Sequence, residues 1–142
     1  MPITFENIIY DRVVDAVQGL LVNEFTVPVY VDGHKGNQSF LLTPTSDNLN
    51  EYAQNFQSRN YVIEIAYQLK TGGAYTKNSI KQVSNIAERV KRLVYNNATY
   101  SPSSVYKWHD GSIDSIEYSR DEDSPDLITA VMNFSCTSTE VT

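Results

Sequence analysis

Residues 76–96 read TKNSIKQVSNIAERVKRLVYN, and the spacing of their apolar side chains decides the fold. Ile80, Val83, Ile86, Ala87, Val90, Leu93 and Val94 recur at steps of three and four, while Lys81, Gln82, Asn85, Glu88, Arg89, Lys91 and Arg92 fall on the opposite side. That pattern predicts one helix with one apolar stripe. Thr76, or Ser79 with Gln82 three residues on, would cap its start. A stripe of this kind has to be covered by a surface of similar width. The strongly period-two stretches of the chain flank the helix, so it is expected to pack on a sheet.

Upstream, Tyr61 to Leu69 alternates: Tyr61, Ile63, Ile65, Tyr67 and Leu69 point one way, and Val62, Glu64, Ala66 and Gln68 the other. This is the signature of a half-buried strand, ended by Gly72-Gly73. Further back, Thr4 is expected to cap a first helix running to about Asn23, with Phe5, Ile8, Ile9, Val13, Ala16, Val17, Leu20 and Leu21 as its buried stripe. Thr26 to Val31 reads as a strand. Pro28 inside it has no amide hydrogen to give a ladder, which places the strand at an edge or at the start of pairing. The glycine-bearing stretch Asp32-Gly33-His34-Lys35-Gly36-Asn37 predicts a turn, with Ser39 to Thr43 returning as the second arm of a hairpin. Residues 44–60, PTSDNLNEYAQNFQSRN, are expected to be a long polar connector. Its Leu49, Tyr52 and Phe56 permit a short helix; in an extended arm they would have to dock on another subunit.

Downstream, the Ser-Pro-Ser-Ser segment at 101–104 separates helix from sheet. Val105 to Trp108 and Ile113 to Tyr118 then read as a hairpin about Asp110-Gly111, a strong short-range turn signal. Leu127 to Cys136 reads as the last strand, with Ile128, Ala130, Met132, Phe134 and Cys136 on one face. The expectation is an α+β fold: two amphipathic helices on one face of a mixed, mostly antiparallel sheet. The predicted element order is α-β-β-(long loop)-β-α-β-β-β, in a single domain over residues 1–142.

Composition sets further bounds. A length of 142 residues and a hydrophobic content of 41% suit one packed core. Ten tyrosines are many for such a chain, and Tyr61, Tyr67, Tyr106 and Tyr118 fall in predicted strands, where the ring is favoured. A net charge of −6 argues against a protein that grips nucleic acid, which needs surplus Lys and Arg on one face. The basic residues Lys77, Lys81, Arg89, Lys91 and Arg92 read as a solvated helix face, the last three also suiting the negative end of the helix dipole. Cys136 is the single cysteine, and the start MPITFENII lacks a secretory pattern, so a reducing cytoplasm is expected. No apolar run approaches the roughly 20 residues that span a bilayer.

A search for chemistry finds little. Gly33 to Gly36 lacks the spacing and the Gly-Lys-Ser/Thr end of a phosphate loop. Asp121, Glu122, Asp123 and Asp126 lack the alternation and the glycine of an EF-hand, and read as a charged loop between strands. One cysteine with His34 and His109 falls short of a zinc set. No catalytic, cofactor or metal-ligating residue is assigned, and a non-enzymatic role is expected.

One resemblance carries a function. The N-terminal helix, the early hairpin, the strand NYVIEIAYQLK, the helix SIKQVSNIAERVKRLVY, the Trp108 segment and the end IDSIEYSRDEDSPDLITAVMNFS together resemble the tail terminator (tail completion) proteins of tailed bacteriophages. The likeness is one of size, element order and hydrophobic texture over nearly the whole chain. It implies a homo-hexameric ring on the finished tail tube, in the virion tail or neck, made in the bacterial host cytoplasm. The implied partners are the tail tube protein, the sheath where the tail contracts, and the head-tail connector or stopper, with DNA passing through without tight binding and no membrane. Within that picture Asp32, His34, Lys35, Leu49, Tyr52 and Phe56 are candidate contacts with other subunits or the tube. Glu64, Asp121, Glu122 and Asp123 are candidate acids facing the channel or tube, where they would repel phosphate. The rival readings are another neck protein (an adaptor or head-completion protein) or a tail tube subunit and, from a different class, a small cytoplasmic enzyme or ligand-binding α+β domain.

Overall fold

The computed structural model describes residues 2–72, 77–121, 123–124 and 126–141, and of Lys77 the backbone alone. The amphipathic run forms α2 (Lys77–Asn96) as expected. Its Val83, Ala87 and Val90 are wholly buried and Val94 nearly so, with Ile86 and Leu93 packed beside them. Ile80 departs from the stripe and is 41% exposed. The proposed cap Thr76 and the strand-ending Gly73 lie outside the described residues.

The sheet beneath has five strands in the order β1-β2-β3-β5-β4. They are β1 (Val29–Tyr30), β2 (Gln38–Ala53), β3 (Phe56–Lys70), β4 (His109–Arg120) and β5 (Leu127–Val141). β2–β3, β3–β5 and β4–β5 are antiparallel, and β1–β2 is parallel. The α+β class, the helix-on-sheet packing and the mixed, mostly antiparallel sheet are therefore as expected. β3 keeps its alternation: Tyr61, Ile63, Ile65, Tyr67 and Leu69 are buried in the core. Across β5, Ile128, Ala130, Met132, Phe134 and Cys136 join them in register, Ile63 opposite Phe134 and Ile65 opposite Met132. Each fully buried aliphatic or Phe side chain contributes roughly 1.5–3 kcal/mol, so this face is the main source of stability.

Five element-level expectations are corrected. The first helix starts not at Thr4 but at Asn7, whose side chain accepts from the Tyr10 amide (3.3 Å). It opens as a π-helical segment, Ile8–Val14, before α1 (Asp15–Glu24). The wider turns bring the adjacent Val13 and Val14 both into the core, while Phe5 stays 81% exposed. The early hairpin is not one, because β1 runs parallel to β2. Pro28 still marks the edge: its carbonyl accepts from the Phe40 amide (2.9 Å), so its missing N–H is not needed.

The long connector at 44–60 is ordered as the far half of the β2–β3 hairpin, turning at Gln54-Asn55 with Ala53 opposite Phe56. Its strands escape notice because both faces there are largely polar, which leaves no alternation to see. The Asp110-Gly111 hairpin is also absent. β4 is one strand with a bulge between His109 and Ser112, and Val105 and Tyr106 lie outside the strands. Asp110 takes the positive φ (55°). Gly111 is required for space: its N–H donates to the Ala98 carbonyl (2.8 Å), and a Cβ there would stand 2.8 Å from Trp108 Nε1. Trp108 is 1% exposed, donates to the Asn97 carbonyl (3.0 Å) and sets its ring edge-on to Phe134. The last strand also runs on past Cys136 to Val141.

Two side chains tie the layers. Arg12, with 13% of its side chain exposed, donates to Ser138 Oγ (2.8 Å) and the Thr139 carbonyl (3.0 Å), while Glu6 receives its other nitrogens (2.8 and 3.1 Å). The Tyr106 ring lies under the same guanidinium, and its hydroxyl meets His109 Nδ1 (2.6 Å) and the Thr139 amide (3.3 Å). β5 beyond the end of β4 is thus closed by side chains. Arg89 pairs with Glu24 (2.9 Å) and stacks on Phe25, joining α2 to the end of α1.

Candidate functional site

The helices lie on the face of β3 that carries Tyr61, Ile63, Ile65 and Tyr67. The other face carries no helix among the described residues; of its side chains Val62, Glu64 and Gln68 are half-buried, and Ala66, Ser58 and Thr137 are buried between their neighbours. By register the neighbours of Val62, Glu64, Ala66 and Gln68 are Leu41 and Thr43 on β2, Thr129, Val131, Asn133 and Ser135 on β5, and Ser112, Ser115 and Glu117 on β4. Hydroxyls and amides dominate this surface, and they satisfy one another across strands. Asn133 Nδ2 donates to Ser115 Oγ (2.8 Å), Thr137 Oγ1 to Asn60 Oδ1 (2.6 Å) and Asn50 Nδ2 to Ser58 Oγ (3.1 Å). By register its acids are Glu51, Glu64 and Glu117, and its lysine, Lys70, stands at one end.

Both outer strands are open. Beyond Leu41, where β1 ends its pairing, β2 from Leu42 to Ala53 has no outer partner among the described residues; β4 is bonded on its outer side at Gly111 by the Ala98 carbonyl, and beyond that point it has no outer strand among the described residues. Each edge is blunted. β2 carries Pro44, two register shifts, Asp47 and Glu51; β4 carries two register shifts, Asp110, Asp114 and Glu117. Bulges, proline and inward or flanking charge are the devices that discourage indiscriminate strand addition.

The candidate contact residues separate into two groups. Asp32, His34 and Lys35 lie in the β1–β2 connection: Lys35 pairs with Asp32 (3.1 Å) and sits over the Tyr30 ring, and His34 Nδ1 meets Ser39 Oγ (2.7 Å). Burial pushes the His34 imidazole below its usual value. Leu49, Tyr52 and Phe56 belong to the far end of the β2–β3 hairpin, with Leu49 and Tyr52 55% and 73% exposed. At a rise of about 3.3 Å per residue the two ends of β2 stand about 50 Å apart, so the two groups do not form one site. Glu64 is half-buried at the middle of the uncovered face, between Thr43 and Asn133. Asp121 and Asp123 are exposed at the β4–β5 turn, where Asp121 Oδ1 accepts the Asp123 and Ser124 amides. Glu122 lies outside the described residues.

A groove of about 420 Å³ lies between the N-terminal segment and the far half of the sheet, lined by Phe5, Ile8, Ile9, Asp47, Arg59 and Glu140 among others. Arg59 closes its floor by pairing with Asp47 (2.6 Å), which holds the guanidinium protonated. Burial raises the Tyr61 phenol beside it to about 12 and the Cys136 thiol to about 12. Neither group is poised as a base or nucleophile near neutral pH.

Of this face the sequence points to Glu64 alone, because hydroxyl and amide positions opposite a core stripe look like ordinary solvent-facing residues. The signal was present in the even-numbered side chains of β3 and the odd-numbered ones of β5. Among the described residues no helix is long and apolar enough to cross a membrane. Compared with protein-family models and with curated proteins, the chain finds no match in either.

Proposed function

We propose that this chain is a structural subunit of a tailed bacteriophage, a terminator that caps the tail tube as a homo-hexameric ring and offers a docking surface to the head-tail connector. The observation that carries the proposal is the one-sided sheet: helices pack on one face, the other carries no helix, and both edges are open over most of their length among the described residues. A subunit of this form is completed by its neighbours. The bare face also suits a channel that DNA must pass without sticking. Its hydroxyls and amides bond one another at Asn133–Ser115, Thr137–Asn60 and Asn50–Ser58, and Glu51 and Glu64 repel phosphate.

Electron microscopy of purified tails with and without the protein tests this reading. A terminal ring and uniform tail length are expected with it, and over-long tails without it. Tails of the same length and form in both preparations would contradict it. Open strand edges would equally serve a tube subunit, and that second reading predicts long hollow fibres from the purified chain alone.

A further inference from the structure

We infer that the outward stripe of α2 is the surface on which a second copy of this chain docks, presenting the acidic outer side of its β4. The inference rests on the ring reading and names the contact between subunits. Charge in this chain is segregated. α2 holds Lys77, Lys81, Arg89, Lys91 and Arg92 against Glu88, whereas the sequence of residues 109–126 holds Asp110, Asp114, Glu117, Asp121, Glu122, Asp123 and Asp126 with Arg120 as the one lysine or arginine.

On α2, Lys81, Asn85, Glu88, Arg92 and Tyr95 follow at steps of four and three, and all are exposed. Arg89 is held by Glu24 and Lys91 by Glu88. Lys81 and Arg92 form no ion pair among the described residues. A trough of about 770 Å³ runs along this stripe. At its end Tyr95, 73% exposed, carries the Arg92 guanidinium on its ring, and Tyr and Arg are the residues most enriched at interface centres. On β4, Asp114 accepts from the Ser112 hydroxyl, and neither Asp114 nor Glu117 forms an ion pair among the described residues. α2 is about 30 Å long and β4 about 40 Å, so the two surfaces match in extent.

One copy does not satisfy itself, because α2 packs on the helix-side face near β4 with its stripe turned away. Two different patches meeting head to tail make a heterologous contact, which closes into a ring when the rotation permits. Nucleic acid is the poorer occupant: Glu88 interrupts the stripe, and its neighbours Arg89 and Lys91 are already paired.

The test uses two double variants, Lys81→Glu with Arg92→Glu, and Asp114→Lys with Glu117→Lys, each checked for wild-type circular dichroism. Sedimentation at low salt should show wild-type self-association that weakens with added salt. Each variant alone should lose about tenfold or more of it, and an equimolar mixture should regain it, because the acidic α2 of one variant then meets the basic β4 of the other, and the unaltered β4 of the first meets the unaltered α2 of the second. Variants that assemble like wild type, a mixture that stays dissociated, or a wild-type chain that remains single at high concentration would each overturn the contact and leave the ring reading standing. Duplex DNA bound by wild type and lost in Lys81→Glu with Arg92→Glu would overturn it in favour of nucleic acid. A mixture restoring only a two-chain particle would support the contact and sink the hexameric ring.

Discussion

The two faces of β3 are made from neighbouring residues of one strand, yet different physics governs them. Toward the helices, Ile63, Ile65 and Tyr67 are wholly buried, and each is fixed by what it packs against. On the other side Val62, Glu64 and Gln68 are half-buried and only the small Ala66 between them is buried, with no helix among the described residues on that face. Folding accounts for the first set. The second set is free to be chosen by whatever meets the sheet from outside, and its laterally bonded hydroxyls and amides give a polar surface that seeks no further donor.

The sharpest way to break this comparison is a pair of substitutions one residue apart on β5. Phe134→Ala empties a core position and should cost about 3–5 kcal/mol in denaturant unfolding. Asn133→Ala, which removes only a bond to Ser115, should stay within about 0.5 kcal/mol. Similar losses at the two positions would mean that the bare face also holds the fold together. Next in size is Gly111→Ala. Its Cβ would press on Trp108 Nε1, so about 1–3 kcal/mol should be lost together with a change in tryptophan fluorescence. An unchanged emission and midpoint would refute the close-approach account of that glycine.

The smallest effect concerns Glu6. Its hydrogen bond from Arg12 holds its carboxyl below the usual value of 4.5, so the folded state binds this proton less readily than the unfolded chain. The stabilisation is therefore full above that value and disappears as pH falls through the lowered pKa. In Glu6→Gln the acid limb of the stability curve should be shallower, and modestly so, since the carboxylate is 46% exposed to screening solvent. Identical acid limbs would show that the pair contributes nothing measurable.

Much of the covered side was legible from sequence. The stripe of α2, the alternation of Tyr61 to Leu69 and the buried face of Ile128 to Cys136 follow directly from helical and strand periods. What hid was structure without a one-sided environment. Residues 44–60 form the far half of the β2–β3 hairpin while offering polar side chains to both sides, so no period survives. Asp110-Gly111 has the composition of a turn but serves a bulge under Trp108, a contact with no local signature. The direction of β1 is set by the β1–β2 connection rather than by any residue in Thr26 to Val31. The segregation of charge between α2 and residues 109–126 was visible, but its meaning depended on knowing that both surfaces are outward.

The central claim, that this surface is left incomplete in one copy and completed by identical copies, is tested most directly by native mass in the presence of tail tubes. The account predicts a single closed assembly of six chains of 16.0 kDa seated at the tube end. Single chains bound to tubes, or none bound at all while the tubes go on growing, would contradict it.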